Sequence, residues 1–158
     1  MLIAEYLHSI LELAQKNYGL SFDVEAMIES DLSDPVKFHP PHGRFYLVQK
    51  DGEFVAVGCL KRLDDLTGEI QRMYVRDSAR GTGIGRLIVD RLVADARRIG
   101  YRKLRLESLR FLVAAHSLYR SAGFVEIDPY GGNSMEAYQA PDSASLYRSS
   151  VVFMEMAL

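Results

Sequence analysis

The chain has 158 residues, 48% of them hydrophobic and 25% charged, with one cysteine and a formal net charge of −2. That length fits one domain spanning residues 1–158, and the composition excludes a disordered chain, a collagen-like fibre and a disulfide scaffold. The lone Cys59 excludes an internal disulfide or a CxxC metal site, and no apolar run reaches the ~18 residues of a membrane span.

The N-terminal stretch MLIAEYLHSILELAQ carries Glu5 and Glu12 and lacks a basic leader or cleavage site, so it does not read as a secretory signal. A cytoplasmic location is expected. The small net charge hides an asymmetry: residues 1–71 carry −6, residues 72–120 carry +8 and residues 121–158 carry −4. A basic centre in a slightly acidic chain suggests a local anion site rather than nucleic acid binding. A solvated basic helix face accounts for the charge equally well.

Leu2, Ile3, Tyr6, Leu7, Ile10, Leu11, Leu13 and Ala14 show helical spacing over residues 2–17, with Gly19 as the stop. Residues 22–31 suggest a second short helix, and His39-Pro40-Pro41-His42-Gly43 a loop. Phe45–Val48 and Phe54–Leu60 flank Asp51-Gly52, a hairpin signal. Glu69–Val75 reads as a third strand, completing an antiparallel meander. Ile84, Leu87, Ile88, Leu92, Ala96 and Ile99 then mark one face of a long amphipathic helix ended by Gly100. A short strand around Leu104 and Leu106, a helix over 114–122, a strand at 124–127, a loop at 128–145 and a final strand from Val151 complete the chain. The expected class is α/β with a mixed sheet: an antiparallel half, then strand–helix–strand–helix–strand.

The informative stretch is Val75-Arg76-Asp77-Ser78-Ala79-Arg80-Gly81-Thr82-Gly83-Ile84-Gly85-Arg86. A strand ends, a glycine-rich loop follows and a long helix begins. The free N–H groups and dipole of a helix start favour a bound phosphate, and Arg80 and Arg86 add charge. A plain tight turn is the competing explanation. The nucleotide P-loop fails because no Lys follows the glycines. The dinucleotide fingerprint GxGxxG fails at Arg86 and at Ile88. What fits is Arg-x-x-Gly-x-Gly at Arg80, Gly83 and Gly85.

That spacing at a strand-to-helix junction resembles the signature of the GNAT superfamily of acetyl-CoA-dependent N-acetyltransferases. Two further segments agree: Leu118-Tyr119-Arg120-Ser121-Ala122-Gly123-Phe124 is similar to the family's LY-x-x-x-GF segment, and Glu69–Val75 to its central strand. The resemblance covers roughly residues 45–127. It implies acetyl-CoA as cosubstrate, with the pyrophosphate held by Arg80, Gly81, Thr82, Gly83, Ile84, Gly85 and Arg86. It also implies a pantetheine arm paired with Met73, Tyr74 and Val75, in a slot opened by a bulged strand that splays from its parallel neighbour beyond Met73. The Val75 N–H would polarise the thioester carbonyl, because acyl transfer develops an oxyanion that a fixed donor stabilises. Tyr119 would protonate the leaving thiolate; alternatively it is a core aromatic on the helix's apolar stripe.

A base for the acceptor amine is expected at Glu69, with Glu107 or water as alternatives. His116 is expected at the cofactor edge or the surface, His39 and His42 in a solvated loop, and Cys59 as a buried small side chain. No covalent intermediate and no metal are implied. Two departures stand out: the chain enters its first helix without the family's preceding strand, and Leu112 occupies a position where the family often has an Asn that bonds pantetheine. The expected acceptor is a small primary amine. A non-catalytic acyl-CoA sensor and an acetylase of protein amino groups are the alternatives. No nucleic acid or membrane partner is expected. A second copy of the chain is a candidate partner, with the C-terminal strand as the edge to be covered.

Overall fold

The computed structural model describes residues 2–132, 135, 138 and 144–158. Helix α1 (Leu2–Tyr18) buries Leu2, Ile3, Leu7, Leu11 and Ala14. From Ile3 onward that stripe recurs every three or four residues, as an amphipathic helix requires. Asp23 caps α2 (Val24–Ser33) by accepting the Ala26 N–H at 2.9 Å, and a single 3₁₀ turn (Pro35–Phe38) leads into the sheet. Strands β1 (Arg44–Lys50), β2 (Glu53–Arg62) and β3 (Thr67–Val75) form the antiparallel meander. Helix α3 (Ile84–Ile99), β4 (Lys103–Leu109), α4 (Val113–Ala122) and β5 (Val125–Ile127) follow, then α5 (Ala144–Ser150) and β6 (Val151–Ala157). The six strands lie in the order β1-β2-β3-β4-β6-β5. Among the described residues no strand precedes α1, and no helix is long and apolar enough to cross a membrane.

Two features of β3 position the site. The first is a bulge: Cys59 faces Gln71 and Val57 faces Tyr74, so Arg72 and Met73 together stand against Gly58. Arg72 takes a φ of +53°, left-handed backbone that a non-glycine residue adopts at a cost. The extra residue changes which side chains share a face. Ile70, Met73 and Val75 pack with the core against α3, whereas Tyr74 joins the cluster under α1 and α2, and Arg72 pairs with Asp31 of α2. Gly58 lies where α3 presses on the sheet: a Cβ there would meet Ile88 Cγ2 at 2.4 Å.

The second feature is the splay. β3 and β4 pair in parallel only from Thr67 to Glu69, against Lys103 to Arg105. β3 runs on to Val75, while β4 stays paired along its length with β6. The opening therefore starts after Glu69, earlier than the expected point beyond Met73, because the bulge bends β3 before Met73 is reached.

Two other expectations are corrected. The loop expected at 128–145 ends in a helix, since Ala144 and Ser145 open α5; residues 133–134, 136–137 and 139–143 of that loop lie outside the described residues. The C-terminal strand is not an edge. β6 is inserted between β4 and β5, pairing antiparallel with both, and the edges are β1 and β5.

Candidate active site

The loop between β3 and α3 borders a groove of about 630 Å³ that runs between the α3 and α4 N-termini and under α1. Gly83 caps α3 with a φ of +85° and no side-chain hydrogen bond, so no capping side chain satisfies the first-turn N–H groups of the helix. A Cβ at Gly81 or Gly83 would meet nothing within 4 Å, which keeps the loop backbone open to the groove. Arg80 and Arg86 both line it. Arg80 is folded back, its Nε donating to the Val75 carbonyl at 3.1 Å and its Nη1 2.7 Å from Asp77. Arg86 pairs with Asp90 at 2.7 Å and reaches Ser121. Thr82 Oγ1 donates to the Ala79 carbonyl at 2.6 Å, closing the turn before the helix.

The Arg76 N–H donates to the Val55 carbonyl at 2.9 Å. The facing pair Ala56–Val75 is therefore of the non-hydrogen-bonded kind, and the Val75 N–H points away from β2, toward the splayed side. Met73, Tyr74 and Val75 all line the groove. Tyr6 of α1 stacks on Tyr74 with ring centroids 5.4 Å apart. Glu5 accepts from Arg76 at 2.6 and 3.0 Å and from the Tyr74 hydroxyl at 3.2 Å, fastening α1 over the end of β3.

A second cavity, about 110 Å³, lies deeper in the splay, between β3 and β4 and beneath α1 and α2. Its apolar wall includes Leu7, Leu11 and Met27; its polar groups include Glu69, Gln71, Arg72, Glu107 and Tyr147. Glu69 is only 1% exposed and accepts hydrogen bonds from Gln71 and from the Tyr130 hydroxyl, the latter at 3.0 Å. Tyr147 hydrogen-bonds to Glu107. Burial, with the nearby Glu107 adding to it, holds the Tyr147 phenol far above its ordinary range, and burial with Glu69 does the same for Tyr130. Both tyrosines stay hydroxyl donors. The two cavities meet at Tyr6, Ile10, Met73, Leu112, Ala115 and Tyr119, which line both.

Tyr119 is 6% exposed and packs edge-on against Phe124, ring centroids 6.0 Å apart. Burial raises its phenol well above the ordinary value, so the proton is retained. It is thus a core aromatic and a lining group at the junction at once; the two sequence expectations are not exclusive. Leu112 lines both cavities and precedes α4 without any side-chain cap.

Glu69 and Glu107, expected as alternative bases, lie in the same cavity. Cys59 is fully buried, with its thiol pushed up by burial, and borders neither cavity. His39 and His42 are exposed. His116 departs from expectation: it is buried and lines neither cavity, because its side of α4 packs inward. Its Nε2 has no hydrogen-bond partner among the described residues, and burial, then Arg120, lowers its basicity. Sequence reasoning missed Arg72, Tyr6, Tyr130 and Tyr147. Arg72 gave a signal as a cation in an otherwise β-rich run, and Tyr130 as half of the Pro129-Tyr130 pair upstream of the final strand. Among the described residues no group of three His, Cys, Asp or Glu side chains is arranged to hold a metal ion.

The model of the Acetyltransferase (GNAT) family matches residues 7–124. An uncharacterized N-acetyltransferase of Schizosaccharomyces pombe is 32% identical over 138 residues, covering 84% of this chain and 78% of that protein. Among solved structures, a GNAT family acetyltransferase from Staphylococcus aureus Mu50 superposes with a TM-score of 0.71 at 19% identity, over 98% of this chain and 92% of that one. A GNAT family acetyltransferase from Elizabethkingia anophelis, crystallised with acetyl-CoA bound, gives a TM-score of 0.60 at 19% identity, over 90% of each chain. The family match spans both the glycine-rich loop and the Tyr119 helix that border the groove, and this chain belongs to the GNAT acetyltransferase family.

Proposed function

We propose that the protein transfers the acetyl group of acetyl-CoA to the primary amine of a small molecule by direct attack. The observation that carries this reading is the meeting of two cavities at Tyr119: an open groove headed by the bare start of α3, and a small polar cavity beneath α1. The groove suits the pyrophosphate and pantetheine of CoA, with Arg80, Gly81, Thr82, Gly83, Ile84, Gly85 and Arg86 around the phosphates and Met73, Tyr74 and Val75 along the arm. The inner cavity suits the acceptor. Its small volume and its position beneath α1 and α2 favour a small molecule over the amino group of a protein.

In the step itself, a neutral amine attacks the thioester carbonyl carbon, and the Val75 N–H stabilises the oxyanion that forms. The carbon–sulfur bond then breaks, the thiolate takes the Tyr119 proton, the proton lost by nitrogen passes to Glu69 or Glu107, directly or through water, and that proton returns to the Tyr119 oxygen through solvent, restoring both groups. The products are the acetamide and CoA thiol. Tyr119 and the carboxylates favour a catalyst over a sensor that only binds acyl-CoA. Incubation with acetyl-CoA and a panel of amines, amino acids and peptides, with thiol release followed alongside mass detection of product, tests the reading. Acetylation of small amines is expected; acetylation confined to peptides would overturn the small-molecule assignment, and binding without turnover would favour the sensor.

A further inference from the structure

The inner cavity is polarised. On one side stand the Glu69 and Glu107 carboxylates with their tyrosine partners. On the other stands Arg72, 7% exposed, held by Asp31 through Nε at 2.7 Å and Nη2 at 3.2 Å. Its remaining nitrogen, Nη1, has no hydrogen-bond partner among the described residues. Asp31 cannot neutralise Arg72 by itself, because the Lys37 ammonium lies 2.7 Å from the same carboxylate. Two cations therefore share one anion, and all three side chains are largely removed from water. The Arg72 end of the cavity is therefore locally cation-rich and the Glu69–Glu107 end anion-rich, an arrangement that suits a ligand carrying one charge of each sign.

The β3 bulge is what sends Arg72 to this side of the sheet, despite the cost of its positive φ. We propose that the acceptor is a small amino acid, whose carboxylate binds the Arg72 guanidinium while its amine faces Glu69 and Glu107. Strand geometry permits both contacts. At about 3.3 Å per residue, Glu69 and Arg72 leave the backbone at most ~10 Å apart. One amino-carboxylate with a charged hydrogen bond of about 2.8 Å at each end bridges such a span. The size agrees: a cavity of ~150 Å³ holds a benzene molecule, so one of about 110 Å³ takes a molecule no larger than a small amino acid.

This inference rests on the acetyl-transfer reading above, and one set of measurements separates the two. Matched acceptors are compared with acetyl-CoA: glycine with methylamine, and alanine and β-alanine each with ethylamine. Binding of the amino acids is measured by calorimetry on the same protein. The amino acids should exceed their carboxylate-free partners in kcat/KM by roughly 10²-fold, the discrimination a charged hydrogen-bond partner gives. Arg72→Lys and Arg72→Gln should collapse that ratio toward unity. The ratio does not depend on how much of each variant is folded, and a purely structural Arg72–Asp31 pair would leave it unchanged. Equal or better turnover of the plain amines by the unaltered protein would overturn the amino acid assignment and leave acetyl transfer standing. Amino acids that bind through Arg72, while neither they nor the plain amines are acetylated, would overturn acetyl transfer and leave the carboxylate subsite standing. Neither binding nor turnover of amino acids would overturn the subsite.

Discussion

In the proposed reaction Tyr119 has two duties that usually compete. Its ring is packed on Phe124 inside the core formed with α3 and the sheet, and its place at the junction of the two cavities suits a proton donor. Burial serves both, because it keeps the phenol protonated while it contributes packing area. Tyr119→Phe separates the duties by removing only the hydroxyl. As the acid for the departing thiolate, Tyr119 should cost roughly 10²-fold or more in turnover when so changed, with melting temperature and CoA affinity nearly unaltered. Turnover near that of the unaltered protein, in a variant whose melt is unchanged, would assign the proton to solvent or to another side chain.

At the scale of elements, the site is made where β3 stops pairing with β4 and where α3 starts without a side-chain cap. Gly83 makes that start possible: its φ of +85° turns the chain from loop to helix and leaves its own edge of the loop bare. Gly83→Ala places a Cβ in open space, so nothing clashes, and the left-handed backbone costs about 1–2 kcal/mol, which a folded domain tolerates. The methyl would occupy the approach to the first-turn N–H groups. Calorimetry should then show CoA binding weakened by roughly 10-fold or more, the value of losing one or two hydrogen bonds to a charged group. Unchanged affinity in a folded variant would move the phosphate site away from residues 80–86.

At the scale of the whole molecule, the sheet and its principal helices were legible because local signals and tertiary packing agree. Of the expected α3 stripe, Ile88, Leu92 and Ala96 are buried and Ile84 and Ile99 partly so, while Leu87 is exposed, the buried face running through Val89 and Val93 instead; Asp51-Gly52 joins β1 to β2. Helix α5 was not legible. It has seven residues, too few to show a period, and it is held by Tyr147 packing on Phe22 and Phe153 from distant parts of the chain. The placing of β6 between β4 and β5 was hidden for the same reason, since strand order depends on partners and not on the strand's own residues. The loop could be read from local spacing and Tyr119 from the family resemblance; the inner cavity could not, because α1, α2, β3, β4 and α5 each supply part of it.

The joint between the helical N-terminal layer and the sheet has a pH signature. Asp31 of α2 meets Arg72 of β3 and Lys37 of the following turn. Burial alone would raise its carboxyl, but the hydrogen bonds and charges of Arg72 and then Lys37 outweigh burial and hold it below its ordinary 3.8. A depressed folded value means that the unfolded chain binds the proton first as pH falls. The stability from Asp31 is therefore full above roughly pH 5 and is lost as pH drops below about 4, through the folded value. Asp31→Asn should lower stability at pH 7 by about 3 kcal/mol, since it leaves Arg72 and Lys37 buried without their anion. For a chain of this length that is a fall of roughly 6–12 °C in melting temperature. The gap between variant and unaltered protein should then narrow as pH is taken from 5 to 3, because protonation removes the same charge from the native residue. Thermal melts across that range measure it directly, and a gap that stays constant would show that Asp31 acts through packing and not through its charge.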